Sequence, residues 1–429
     1  MAMSWAGSVR LAGSMAQEII RRNRSRVEAN SSQANDNERV TALSTTEGSR
    51  SGARERVWRV VLICLLVAFA VWLFVAKASP RMPDFKVYWQ AGARAAAAEP
   101  LYRPSDADYQ FKYFPAFAIV AIPLGVLPLD AAKAVWFTSS ALALAILLRL
   151  SVGLLPYRRK PVWLLIAALL IGLGKYYAED LVLGQINTLA ALVAAFAIQA
   201  LRAGREARAG ALVALAIVLK PYALILAPWI VARRRLRAIA GLAVGLAVAW
   251  ALPMAIYGVD GAVSLHRDWW RTVTETTEGT LLHSDNVSLA SMWAKRLGIG
   301  SAAAILATAS SIALVATAMV VFLRRTGVPK PDGLEAGLLL AITPLISPQG
   351  WDYVVILATP AMVYVVNDID RLPRLLRALT IAAVAAIGLT LYDLLGRRVL
   401  YALLDFSVIT IGMIVLIAAL VTLRTRRLA

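Results

Sequence analysis

The chain has 429 residues, of which 59% are hydrophobic and 17% charged, with a mean hydropathy of +0.66. That balance excludes an ordinary soluble domain and predicts an all-α polytopic membrane protein. The formal net charge of +19 raises nucleic acid as a partner, but the basic residues fall in short clusters between apolar runs, so membrane topology accounts for them and no nucleic acid is expected.

Residues 1–56 are rich in Ser, Arg, Asn and Glu, too polar to bury a core, and read as a disordered basic cytoplasmic tail. The run Val57 to Ala76 is long enough to cross hydrocarbon about 30 Å thick. It follows a long polar stretch rather than a short basic one and reads as an uncleaved signal anchor, which makes residues 57–429 the membrane domain. Cys64 lies inside this run as the chain's one cysteine, so neither a disulfide nor a thiol-rich metal site is expected. Later runs lack the alternation of barrel strands and predict helices.

With the tail cytoplasmic, the first helix emerges outside near Pro80. Leu129 to Leu150 returns to deliver Tyr157 to Lys160, Val162 to Leu173 goes out, and Leu181 to Leu201 comes in. Phe111 to Pro128 carries three prolines and reads as re-entrant or interfacial. Basic clusters flank Ala209 to Ala232 on both sides, which predicts a hairpin broken at Lys220-Pro221, because proline removes a helix donor and pushes the preceding residue out of the helical region. Ala238 to Ile256 goes out, a polar stretch from 257 to 300 stays outside, and Ser301 to Leu323 returns. Leu334 to Ile346, Tyr353 to Val366, Leu375 to Leu394 and Leu403 to Leu423 complete roughly 10 to 13 membrane segments, with both termini cytoplasmic in a plasma (inner) membrane. Arg397 and Arg398 fall outside, against the charge rule. The Gly241 to Gly245 spacing predicts close helix packing.

This topology gathers polar and aromatic residues on the outer face, where ionisable groups at membrane depth call for a water-filled cavity or a ligand. A lipid-linked phosphosugar needs an apolar groove, cations for phosphate, and aromatic faces with amide or carboxylate partners for the sugar. Asp84 is the candidate base for an acceptor hydroxyl, or a cap on the helix beginning at Phe85. Lys112, Lys175 and Lys220 are candidate phosphate partners, or lysines reaching the interface. Glu179, Asp180, Gln185 and Asn187 either orient sugar hydroxyls or cap the next helix. Tyr88, Trp89, Tyr113 and Trp351 offer faces to sugar rings, Asp352 offers sugar hydroxyls a carboxylate, and His283 is a phosphate or proton-relay candidate.

No cofactor is required by this scheme and no metal site is assigned. A divalent cation has weak support, from Asp106 with Asp108 and from Asp368 with Asp370, two matches to one spacing on opposite faces. Phosphate-loop, zincin and nucleophile-elbow motifs are absent. A transporter or flippase of a lipid-linked or anionic substrate is the competing class, favoured by the break at Lys220-Pro221.

The ordered series DFKVYWQAGARAAAAEPLYRP, FKYFPAFAIVAIPLGVLP, AVWF, GQINTLAALVAA, AIVLKPYALILAP and SPQGWDY resembles glycosyltransferase family 87, the polyprenyl-phosphate-mannose-dependent mannosyltransferases of the multi-spanning GT-C fold. The resemblance runs over about residues 80 to 365. It implies an inverting hexosyltransferase that moves a sugar from a polyprenyl-phosphate donor to a glycolipid or polysaccharide acceptor, among membrane lipids, on the extracytoplasmic face. The family's catalytic acidic residue falls on Asp84, and its GQ-N and K-P motifs fall on Gly184, Gln185, Asn187, Lys220 and Pro221. Neither sugar nor acceptor carries over.

Overall fold

A computed structural model describes residues 64–276, 278–324 and 330–426, with positions 21, 60 and 61. The tail expected over residues 1–56 therefore lies outside the described residues, apart from position 21. The chain divides into two units, Met1–Val71 and Trp72–Ala429. In the first, residues 64–71 are helical, with Leu65, Leu66, Val67, Phe69 and Val71 exposed.

Within the second unit the described residues are helical, without strands. Four helices are long and apolar enough to cross a membrane: α5 (Leu129–Gly153), α6 (Val162–Leu183), α13 (Ser301–Leu323) and α18 (Val408–Thr425); helices before α5 are numbered from α1 (Cys64–Ala78). Three more crossings arise if each of three broken helix pairs counts as one, and Asn187–Arg202, Pro221–Ala232 and Asp352–Asn367 are shorter apolar segments.

The core helix is α14 (Asp332–Ile346), buried from Asp332 to Leu345. A helix that is apolar on all sides needs neighbours on all sides. It has α18, the Asp352–Ala358 turn with α15 (Thr359–Asn367), and α13. Close packing elsewhere depends on glycine. A Cβ on Gly210 of α8 (Glu206–Leu219) would stand 1.9 Å from the carbonyl of Ala238, and one on Gly241 of α10 (Leu236–Ala251) 2.1 Å from that of Ala207. The Gly241 to Gly245 spacing thus marks the backbone approach of α10 to α8.

Of three sequence expectations, the first and third change in detail. Asp84 is not a helix cap: α2 (Pro83–Ala96) starts one residue earlier, with Met82 at the cap position in a left-handed conformation and no side-chain capping bond. Proline at the first helical position, where its missing donor is not needed, sets that start. Phe111 to Pro128 is no full crossing. It forms two short helices, α3 (Pro115–Val120) and α4 (Ile122–Gly125), against α2, where a Cβ on Gly92 would meet the Ala121 carbonyl oxygen at 2.4 Å.

The third concerns polar stretches read as loops or spans. Residues 257–300 are mostly helical: α11 (Met254–Glu275) leaves α10 at 91°, with a kink at Gly258, and α12 covers Leu289–Leu297. Leu375 to Leu394 likewise ends early, because α16 (Arg374–Leu389) gives way to α17 (Tyr392–Asp405) at 106°. Arg397 and Arg398 sit on exposed α17 rather than at the end of a crossing.

Candidate active site

A cavity of about 720 Å³ opens where α2, the Lys112–Tyr113 segment, the turn after α6, the Lys220 break and the loop after α14 meet. Each wall has a local cause. The Lys220 break follows the proline rule: α8 stops at Leu219, Lys220 is extended (φ −147°, ψ 110°), and Pro221–Ile225 resumes as a tight 3₁₀ turn before α9 (Leu226–Ala232). Between α6 and α7 (Asn187–Arg202), Gly184 adopts φ +73°, and a Cβ there would lie 2.6 Å from Phe85 Cβ. Only glycine lets this turn abut the start of α2 and place Gln185 beside Asp84.

From these walls a polar chain is built. Gln185 stands beside Asp84 in the cavity lining, accepts from the Tyr88 hydroxyl at 3.2 Å and donates to that of Tyr353 at 3.2 Å. Tyr88 and Tyr113 hydroxyls lie 2.6 Å apart, and Lys220 Nζ donates to Tyr113 at 3.0 Å. Lys220 also rests over the rings of Tyr113 and Tyr222, 4.7 and 5.7 Å from their centroids. No ion pair within 4.0 Å joins Asp84 to Lys220. A carboxylate and an ammonium therefore share one cavity without neutralising each other by contact. Lys112 and Trp351 line the same space, and Leu224, Ile225, Pro228, Ile346 and Val354 give it an apolar side.

The remaining sequence-derived candidates stand around this cavity. Asp180 is fully buried and holds the start of α7, accepting from Asn187 Nδ2 at 3.0 Å and from the Thr188 backbone at 3.3 Å. Asn187 in turn accepts from the Tyr222 hydroxyl at 2.5 Å, so this pair supports a cavity wall from behind. Trp89 points away, donating to the Leu127 carbonyl at 2.9 Å. Lys175 donates to the Thr390 carbonyl and hydroxyl, both at 2.8 Å, with Asp352 at 3.9 Å; neither it nor Glu179 lines the cavity. His283 packs edge-on against Trp351, with centroids 4.9 Å apart, and is half exposed.

Several lining residues went unassigned in the sequence: Tyr222, Tyr353, Gln349, Tyr109 and Trp270. Tyr222 and Tyr353 sit two residues from Lys220 and Trp351, inside the quoted KPY and WDY stretches, so those motifs held the signal. Trp270 had none, because its approach depends on the turn from α10 into α11.

Among the described residues no three His, Cys, Asp or Glu side chains group as for a metal. Asp106 is gripped by Arg94 through two bonds of 2.5 and 2.9 Å, and Asp370 by Arg159 and Lys160.

The fold and the cavity define the class: an all-helical, membrane-type bundle with an amphiphilic cavity. The family model "Glycosyltransferase family 87" matches residues 111–348, more than half of the chain, and the chain belongs to that family. Membership assigns it glycosyl transfer and hence a sugar donor and an acceptor. The match covers Lys112, Tyr113, Gln185 and Lys220, while Asp84 lies before it and Trp351 beyond it. A comparison with curated proteins finds no match.

Proposed function

We propose that the chain is an inverting, polyprenyl-phosphate-sugar-dependent glycosyltransferase of the plasma membrane, working on the extracytoplasmic face with mannose or another hexose or pentose. The single observation that carries this reading is the pairing inside one cavity of a carboxylate, two lysines and an apolar side. Asp84 takes the acceptor hydroxyl proton as that oxygen attacks the anomeric carbon from the face opposite phosphate. A carbon–oxygen bond forms to the acceptor, the bond from the anomeric carbon to the phosphate oxygen breaks, and the electron pair leaves with polyprenyl phosphate.

The leaving group is already anionic, so it needs cations rather than a proton. Lys220 and Lys112 supply them, and Tyr113, held by Lys220, adds a donor. Preorganised charges in a water-poor site stabilise developing charge more than the same groups in water. Gln185, fixed by Tyr88 and Tyr353, stands beside Asp84. Tyr113 and Trp351 offer rings to the sugar, and the Leu224–Pro228 side receives the lipid's first isoprene units. Glycolipid or polysaccharide is the acceptor class.

The test is a donor panel. Purified protein in vesicles is given polyprenyl-phosphate mannose, other polyprenyl-phosphate sugars and nucleotide sugars, with membrane glycolipids as acceptors. Consumption of a polyprenyl-phosphate sugar, with inverted anomeric configuration in the product, supports the reading. Use of a nucleotide sugar alone overturns it.

A further inference from the structure

Helix α17 has no part in the cavity, yet it is built for contact. It leaves α16 at 106°, so it runs across the direction of a crossing helix. Among its residues only Leu404 is buried. Tyr392 and Leu394 are 59% and 60% exposed, Val399 and Tyr401 49% and 44%, and Phe406 just after the helix 64%. Such a row is costly in water and comfortable at the boundary between headgroups and acyl chains.

The charges on this surface point to the same place. Neither Arg397 nor Arg398 has a carboxylate partner among the described residues, although Asp393 and Asp405 lie on the same helix. The Arg397 guanidinium sits 5.9 Å from the Tyr401 ring centre. A third guanidinium comes from α12: Arg296 donates to the Phe406 carbonyl at 3.0 Å and lies 5.7 Å from that ring's centre. Lys295 fastens the same region, donating to the carbonyls of Ser284, Asn286 and Leu404. Asn286 also holds the loop after α14 through the Pro348 carbonyl, so this surface belongs to the cavity end of the bundle.

We propose that α17 and the end of α12 form a docking surface for an anionic phospholipid, with the aromatic and aliphatic side chains at the headgroup boundary and Arg296, Arg397 and Arg398 around its phosphate. Guanidinium groups suit phosphate because their forked donors match its oxygens. The proposal goes beyond the reaction: it needs neither Asp84 as base nor any particular sugar.

The test places the full chain in nanodiscs of equal phosphatidylcholine and phosphatidylglycerol, doped with a photoactivatable phosphatidylglycerol. The expected result is enrichment of phosphatidylglycerol on the purified protein by native mass spectrometry, with crosslinks mapping to residues 292–297 and 392–407. R397Q/R398Q should lower that preference about tenfold, R397K/R398K, which keeps the charge and loses the fork, should lower it less, and R374Q/R377Q at the far end of α16 should leave it unchanged. Crosslinks that map elsewhere in the wild type overturn the proposal whatever the variants do. So does an R397Q/R398Q protein of unchanged melting temperature and unchanged lipid preference, or capture of a protein partner on α17 in place of lipid.

Discussion

The cavity and the far end of the helical bundle carry charge in opposite ways. Away from the cavity, charges meet in pairs. Glu335 on α14 is 0% exposed and lies 3.6 Å from Arg424 of α18, itself 1% exposed, while Trp229 donates to the other Glu335 oxygen at 3.0 Å. Arg233 pairs with Asp332, and Arg159 and Lys160 hold Asp370 at 2.6 and 3.1 Å. In the cavity Lys220 instead donates to the neutral Tyr113, Asp84 stands beside the neutral Gln185, and both face a shared space. Paired charges tie helices together; charges held by neutral neighbours stay available to a ligand. One end is therefore read as architecture and the other as chemistry, and substitutions should separate the two.

Lys220→Met sharpens the contrast most. It removes the cation from the leaving phosphate while the methionine fills a similar volume, so transfer should fall by about 10² to 10³ with the melting temperature nearly kept. Initial rates at saturating donor measure the first quantity and thermal unfolding in detergent the second. At the other end Arg424→Met should do the reverse, because it strands Glu335 in an apolar core. A loss of about 3 to 5 kcal/mol is expected, with activity per folded molecule unchanged. Replacing Glu335 by Leu as well should recover much of the stability, which a denaturant or thermal series on the double variant would reveal.

Gly241→Ala probes the scaffold between the ends. Its new Cβ would push on the Ala207 carbonyl and part α8 from α10, costing about 1 to 3 kcal/mol. Because Lys220 ends α8, a smaller loss of transfer should accompany the shift. Asp370→Asn should change least. Partial burial pushes this carboxyl up, but hydrogen bonds from Lys160 and Arg159 outweigh it and hold it at about 2. With its folded pKa depressed, whatever it contributes is present above the ordinary carboxylate range and lost only as pH falls toward 2. Stability should thus be flat from pH 5 to 8 in both proteins, and an acid titration followed by circular dichroism would show any difference only at the low end.

How much of this was legible in the sequence depended on whether the cause was local. The break at Lys220-Pro221 was, because proline restricts its own neighbourhood and nothing distant is needed. The limits of α5 and α13 were too, since apolar length sets them. Helices α11 and α17 were not: their sequences mix polar and apolar residues, Pro253 before α11 was read as part of an apolar run that continued to Ile256, and the break before α17, at Thr390–Leu391, carries no proline or glycine. The left-handed turn at Gly184 was equally silent until Phe85 was seen against it.

The site divides along the same line. Residue types suited to phosphate and sugar were readable one by one, but assembly depends on register between segments far apart in the chain. Lys112, Lys175 and Lys220 look alike in sequence. The packing of α6 against α16 turns Lys175 to Thr390, while the proline break turns Lys220 into the cavity. Asp180 and Asn187 look like Asp84 and Gln185, yet α7's own start uses them.

Asp84→Asn decides whether Asp84 is the base in this cavity. Wild type and variant would be compared in proteoliposomes for sugar transfer from polyprenyl-phosphate mannose to membrane glycolipids, with melting temperatures in parallel. With Asp84 as the base, transfer should fall by about 10² to 10⁴ in a protein that melts like wild type and still binds donor. Full turnover by the asparagine variant would contradict that role.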